Sequence, residues 1–380
     1  MKNLYIVVAA DFFFLSHRKA IGIAAKNQGY NITVIAKDTG KKAEIEALGF
    51  NFVDLPINRT GINLREELTT FRFLYLYLKN NKPDIIHLVG PKPILWGGLA
   101  AKILRIPGMV SAISGLGMLF SEGYRKSFIT NIVLLTLRFI HHRKNVFCIF
   151  QNNEDLNFYV TNKIIDKKHC VKTNGSGINL KEYTYEKEPI SNIISILFTG
   201  RMVEDKGVLV LINAANLLRN EYYNKIEFLL CGGIYPNPHS ISKEQLESQC
   251  DGTYIKWLGH RDDVHALLKQ SHIFVFPSFY KEGLPKSCIE AAAVGRPIIT
   301  SDSIGCRDTI IDGETGFLVP IKNSQAIADK LKILIDHPDI RKRMGEKARI
   351  YAEKNFAIED VVNTHLSIYN RLTDKEDFNP

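Results

Sequence analysis

Two short stretches of this 380-residue chain hold residue types suited to a charged, hydroxyl-rich ligand. The first is Phe276-Pro-Ser-Phe-Tyr-Lys-Glu-Gly-Leu-Pro-Lys-Ser-Cys-Ile-Glu290. It begins like a strand, turns through a short loop and is expected to enter a helix at about Leu284-Pro285, since proline lacks an N–H that a first helical turn leaves unused. Backbone amides around Gly283 and Leu284 would then sit at the positive end of a helix dipole, where an anion or a hydroxyl is favoured. Glu282 stands at the mouth. Glu290, eight residues on, is just over two helical turns away and returns to a similar face, from which it can accept hydrogen bonds from a diol such as ribose. Taken singly, Glu282 reads equally well as a helix cap and Glu290 as a solvated carboxylate.

The second stretch, Phe198-Thr-Gly-Arg-Met-Val-Glu-Asp-Lys-Gly207, also follows a strand-like run. Gly200 permits a tight turn, Arg201 can clamp phosphate oxygens with its planar fork, and Lys206 adds a point charge. Two cations beside a diphosphate suit a leaving group that becomes more negative as its bond breaks. A lone Gly-Arg would be an ordinary basic loop, but the longer spacing through Lys206-Gly207 directly after a strand argues for a site.

The elements that must position these loops alternate between short β-branched or aromatic runs and longer helical patterns, the signature of parallel sheets built from βαβ units. In the first half the strand candidates are 4–10, 32–37, 51–55, 84–89, 109–114 and 146–151; in the second they are 193–199, 226–231, 254–258, 273–277, 297–300 and 316–319. The expected fold class is α/β, with two Rossmann-like, doubly wound parallel-sheet domains facing across a cleft and ligands at the carboxyl ends of the strands. The expected division is residues 1–180, a polar linker at 181–192, a second domain at 193–355, and a final helix at 356–380 packing back toward the first domain. The whole stretch from about Ile340 to Leu372 is read as helical.

Composition narrows the function classes. A chain that is 45% hydrophobic and 23% charged is an ordinary globular one. No run approaches the roughly 18 apolar residues of a membrane span, and Met1-Lys2-Asn3 leads straight into a strand-like run, so a cytoplasmic location is expected. The six cysteines lie scattered without metal-ligand spacing and are read as reduced core residues. The paired Asp262-Asp263 sits at a helix start and is read as caps, so neither a metal nor a cofactor is expected. Charge is uneven: residues 1–180 hold 24 Lys+Arg against 12 Asp+Glu, a balance of +12, whereas residues 181–380 hold 25 against 28, a balance of −3. The basic half suits an anionic partner, whether a membrane surface, a phosphorylated acceptor or nucleic acid, and suits equally a solubilising surface.

Gly200-Arg201, Lys206-Gly207 and the pair Glu282…Glu290 resemble the signature of retaining glycosyltransferase family 4, of GT-B fold. The resemblance implies that Glu290 binds the donor ribose, that Arg201 and Lys206 hold the diphosphate, and that Glu282 with the Gly283 and Leu284 amides holds the hydroxyls of the transferred sugar. Trp257-Leu-Gly-His-Arg-Asp-Asp-Val264, whose backbone would flank the base, and Asp312-Gly-Glu-Thr-Gly-Phe-Leu-Val319 are family-like too. In the first half, Phe12-Phe-Phe-Leu-Ser-His-Arg18, Asn58–Asn63, His87–Pro93 and Ser114–Gly117 resemble members that extend undecaprenyl-diphosphate-linked sugars in O-antigen, capsule or glycan assembly. The implied acceptor contacts are His17, Arg18, Arg59, His87 and Lys92. Many family members carry a glycine pair in the first loop and a His after the fifth strand, where this chain has Ala9-Ala10-Asp11 and Ser114, so no His is assigned to the sugar.

The implied reaction keeps the anomeric configuration, uses a UDP-sugar as donor and needs no protein base. The apolar stretch Ile129–Ile140, between Tyr124–Phe128 and His141–Lys144, reads either as a core helix with basic ends or as one resting on an anionic inner leaflet, which would make the protein peripheral there. Two rival readings are a sugar-nucleotide epimerase of similar architecture and a basic nucleic-acid-binding protein. The latter leaves the glutamate and cation loops unexplained, and no nucleic-acid partner is expected.

Overall fold

Runs such as Leu4-Tyr-Ile-Val7 and Ile32-Thr-Val-Ile35 bury both of their faces, as strands covered by helices on either side must. The computed structural model describes residues 1–58, 63–115, 128–235 and 240–373 and divides the chain into two compact units, Met1–Ser176 with Ile358–Pro380, and Gly177–Ala357.

In the first unit β1 (Lys2–Val7), β2 (Tyr30–Ala36), β3 (Asn51–Asp54), β4 (Ile85–Val89), β5 (Gly108–Ile113), β6 (Val146–Phe150) and β7 (Cys170–Lys172) form one sheet in the order β3-β2-β1-β4-β5-β6-β7. Every neighbouring pair is parallel. The second unit holds β8 (Ile194–Thr199), β9 (Ile226–Cys231), β10 (Ile255–Gly259), β11 (Ile273–Phe276), β12 (Ile298–Ser301) and β13 (Gly316–Val319) in the order β10-β9-β8-β11-β12-β13, again all parallel. The strand order reverses between β1 and β4 and between β8 and β11. In sheets of this kind that reversal opens a crevice beyond the carboxyl ends, and ligands bind there.

Apolar side chains pack on both faces of the first sheet, in two separate clusters, and in one larger cluster in the second unit. The strand candidates form within a few residues of their expected ends. The extra strand β7 is three residues long, at the sheet edge and only partly buried, so its sequence carries no apolar run to mark it. The final helical stretch is two helices. Pro338–Asn355 belongs to the second unit, and Ile358–Thr373 to the first, where it packs against β4, β5 and the helix Lys19–Asn27 through Val361, His365, Leu366, Tyr369 and Leu372. Proline in the first turn starts the one and Glu359 and Asp360 in the first turn favour the other. Among the described residues no helix is long and apolar enough to cross a membrane.

Candidate functional site

The second sheet brings the two motif loops together. At the reversal point Ile196 lies opposite Ile273 and Leu197 opposite Phe274, so the chain after Thr199 and the chain after Phe276 leave adjacent strands at the same edge. Short contacts then fasten one loop to the other. Ser278 Oγ donates to the Asp205 carbonyl at 3.1 Å, and the N–H groups of Phe279 and Tyr280 donate to the same oxygen at 2.9 and 3.1 Å. Gly207 is left-handed at φ 78°, and a Cβ built there would stand 2.1 Å from the Pro277 carbonyl oxygen, so only glycine allows this approach. Gly305, also at φ 78°, closes beneath the second loop, where a Cβ would lie 2.3 Å from the Gly283 oxygen and 2.6 Å from that of Glu282.

Across this junction Lys206 Nζ pairs with Glu282 Oε1, and Ser278 Oγ donates to the same carboxylate oxygen at 2.9 Å. The ammonium also lies 5.2 Å from the centre of the Phe276 ring and 5.7 Å from that of Tyr280, within cation–π range. Glu282 is therefore the partner of Lys206, and the residue at the cap position of the helix is Pro285. Arg201 is exposed, and its guanidinium makes no hydrogen bond or ion pair among the described residues, which leaves its fork available to an anion. The arrangement presents one cation in solvent and one held against a carboxylate, both on loops at the reversal point.

The helix that follows begins at Lys286, with Pro285 as the residue before it. The start falls within a residue or two of the expected Leu284-Pro285, but only the last part of the interval from Glu282 to Glu290 is helical, so two helical turns do not relate the glutamates. Glu290 is largely buried in the helix Lys286–Val294. It accepts a hydrogen bond from Tyr183 Oη at 3.2 Å and lies 3.6 Å from Lys286 Nζ. Burial pushes its carboxyl above the ordinary value, and Lys286 and the tyrosine bond offset this only in part. The solvated carboxylate weighed above is thus absent. Tyr183 itself packs on the His265 ring at 4.6 Å, and its carbonyl accepts from Arg349 Nη1 at 2.6 Å. Burial, with the Glu290 charge beside it, raises the phenol's pKa and keeps it a donor.

Sequence reasoning missed Tyr183, placing it in the linker, and gave no role to Ser278 or Gly305. An aromatic residue in a polar segment was the only signal for the first. Asp263 does not cap with its side chain; it forms a two-pronged pair with Arg261 at 2.7 and 2.5 Å, and Asp262 faces His260 at 3.4 Å.

The equivalent edge of the first sheet is built differently. After β1, Asp11 is fully buried and accepts from the amides of Phe12, Thr39 and Lys41 and from the Thr39 hydroxyl. Burial alone would raise its pKa, but these bonds win and hold it below the ordinary value. After β4, Lys92 Nζ donates to Glu67 Oε1 at 2.5 Å and to the Asn58 carbonyl at 2.7 Å, while Trp96 Nε1 donates to the other oxygen of this buried carboxylate. The charge of Lys92 is already answered, and the side chain braces the segment after β3 to the π-helical turn Pro93–Gly97.

His87 departs from the expected acceptor role. It sits inside β4 at 0% exposure, shares a hydrogen bond with Tyr369 Oη at 2.6 Å, and is kept neutral by burial, which holds its pKa well below the usual histidine value. Its work is to seat the last helix on the sheet. Arg18, 3% exposed, is likewise an interior residue, bonded through Nη1 to the His17 carbonyl at 3.0 Å, with its pKa lowered by burial to about 10. His17 is half-buried at the end of the helix Asp11–His17, stacked on Phe13 at 4.3 Å, with Nδ1 2.6 Å from Ser16 Oγ. Arg59, Gly117 and Tyr124–Ser127 lie outside the described residues. At the end of the helix Phe128–His141, His141 is buried against Ser111 Oγ at 3.0 Å, and burial lowers its pKa to about 4, so it is no surface cation.

Comparison with known proteins places these features in a family. Residues 185–351 match the family model described as glycosyl transferases group 1, and residues 4–152 match that of glycosyl transferase 4-like. The N,N'-diacetylbacillosaminyl-diphospho-undecaprenol alpha-1,3-N-acetylgalactosaminyltransferase of Campylobacter jejuni is 28% identical over 392 residues, covering 94% of this chain and 98% of its own. The UDP-Gal:alpha-D-GlcNAc-diphosphoundecaprenol alpha-1,3-galactosyltransferase of Escherichia coli is 25% identical over 324 residues, covering 82% and 81%. Among solved structures, a glycosyltransferase from Rickettsia africae is similar with a TM-score of 0.77 at 20% identity, covering 99% of each chain. The fold is that of GT-B enzymes, two Rossmann-like parallel-sheet domains.

Proposed function

This chain is a glycosyltransferase, 4-like in its first domain and group 1 in its second, and we propose that it moves a hexose or N-acetylhexosamine from UDP to a sugar borne on a lipid diphosphate in bacterial surface polysaccharide assembly. The observation that carries the donor half is the fastening of two loops at the β8/β11 reversal, which sets Lys206 on Glu282 with Arg201 in reach of solvent. In this reading Arg201 and Lys206 hold the diphosphate and Glu290, oriented by Tyr183, accepts from the ribose hydroxyls. Gly200 lets the first loop turn, and Glu282 with the Gly283 and Leu284 amides holds the sugar. The acceptor hydroxyl attacks from the face that the diphosphate leaves, and a diphosphate oxygen takes its proton, so configuration is retained. The two cations supply the positive charge that a metal would otherwise bring, and turnover should survive a chelator.

The acceptor half rests on the two relatives, whose names specify diphospho-undecaprenol acceptors. His17 stays a candidate there, whereas Arg18, His87 and Lys92 act by packing or bracing. Ile129, Ile132, Leu135 and Phe139 are exposed on the helix Phe128–His141, and with the basic balance of the first half they support docking at the cytoplasmic face of an anionic membrane. Binding to anionic vesicles that weakens with salt is the expected result. The test of the reaction is a screen of UDP-hexoses and UDP-N-acetylhexosamines against short lipid-diphosphate sugars, read by product mass. Consumption of donor without any acceptor would instead indicate an epimerase.

A further inference from the structure

At the carboxyl ends of β4 and β5 the first unit holds a small hollow of about 60 Å³, room for several water-sized groups. Its wall is almost wholly apolar, made chiefly by Ile94, Leu95, Ile113, Val133, Leu137 and Tyr159. Lys92 also lines it, but that ammonium is turned onto Glu67. Such a wall offers little to a sugar, whose hydroxyls would lose water without compensation. It favours hydrocarbon.

The hollow does not end at the helix that walls it. Val133 and Leu137 face inward, and at about 100° per residue Ile129 lies roughly 40° from Val133 around the axis, Ile132 about 100°, Phe139 about 120° and Leu135 about 160°, all toward one flank. These four are exposed by 53%, 47%, 52% and 60% respectively. Apolar side chains therefore recur from the interior wall, around one side of a single helix, to solvent, interrupted by Thr136, whose hydroxyl is turned onto the Ile132 carbonyl. A folded partner could cover the outer strip, but only a narrow flexible chain can both enter the hollow and follow the strip outward.

We infer that the hollow receives the first branched hydrocarbon unit of the lipid acceptor, next to its diphosphate, and that the helix flank leads the rest of the chain toward the bilayer. This rests on the lipid-linked reading above and adds to it that the enzyme measures the lipid as well as the sugar. The +12 balance of residues 1–180 complements the diphosphate at the head of such a chain.

The experiment compares two acceptors with the same sugar diphosphate, one on a polyprenyl chain and one on a short water-soluble alkyl group, under detergent conditions that keep both dispersed. Burial of a few methylene groups predicts a KM lower by about tenfold or more for the polyprenyl acceptor. Val133→Trp, and from the opposite wall Leu95→Trp, should erase that preference while leaving KM for donor, kcat with the short acceptor and melting temperature unchanged. Equal KM values in the wild type, or a preference that survives both folded variants, overturns the inference while leaving the lipid-diphosphate reaction standing. Transfer to neither acceptor with any nucleotide sugar overturns the reaction reading itself and this inference with it.

Discussion

The two sheets share one wiring rule and put it to different uses. In both, the strand order reverses beside the first strand of the sheet, and loops leave its carboxyl edge there. In the second unit those loops are joined to each other, through the Asp205 carbonyl, the close approach at Gly207 and the pair Lys206–Glu282. In the first unit the loop polar groups turn inward instead, with Asp11 buried under backbone amides and Lys92 spent on Glu67, while an apolar hollow opens behind them. One edge gathers two cations and a carboxylate, and the other pairs its charges internally beside an apolar wall. Topology sets where a ligand goes; loop composition sets what it is.

The comparison breaks most sharply in acid. His87, His141 and His365 are all buried in the first unit, and burial holds them neutral, with His141 lowered to about 4 and His365 to about 3. Each is depressed below its unfolded value of 6.5, so the unfolded chain binds the extra proton and stability falls as pH drops from 6.5. The slope approaches about 1.4 kcal/mol per pH unit for each histidine that stays neutral in the folded chain. Hydrogen exchange at pH 7 and pH 5 should show the first unit opening before the second, and equal losses would contradict it.

Next come the donor cations. Arg201→Ala and Lys206→Ala should each lower kcat at saturating donor by about 10²–10³, some 2.7–4 kcal/mol. Wild-type turnover in both variants would refute the assigned chemistry. Gly207→Val should destabilise the second unit by about 2 kcal/mol or more, since a side chain there meets both a left-handed φ and the Pro277 carbonyl, and a chemical melt followed in that unit measures it. Tyr183→Phe removes one hydrogen bond, worth about 1 kcal/mol, and should raise the donor KM about fivefold with kcat unchanged. It should also move upward the pH below which donor affinity falls, because the lost bond favoured the ionised form of Glu290. The smallest effect on activity belongs to His87→Leu, which should leave acceptor KM within about twofold while costing about 1 kcal/mol of stability, as a packing residue would.

Much of this was readable before any coordinates. Parallel-sheet strands are short apolar runs with turns between them, so their places follow from composition alone, and Ile226–Cys231 and Gly316–Val319 form at their expected ends. The meeting of the two motif loops was legible because their residue types are unusual for loops and fall directly after strands. Failures came where the deciding contact is distant in sequence. Whether His87 meets a ligand or Tyr369 depends on a helix 282 residues away, and whether Glu290 is solvated depends on a tyrosine 107 residues before it. The amino-acid order by itself determined the two sheets and the chemistry of the loops, since both depend on neighbours within a few residues. Only the tertiary structure decided which charged groups stay available and which are neutralised or buried, because burial and ion pairing are properties of residues that the chain must fold to bring together.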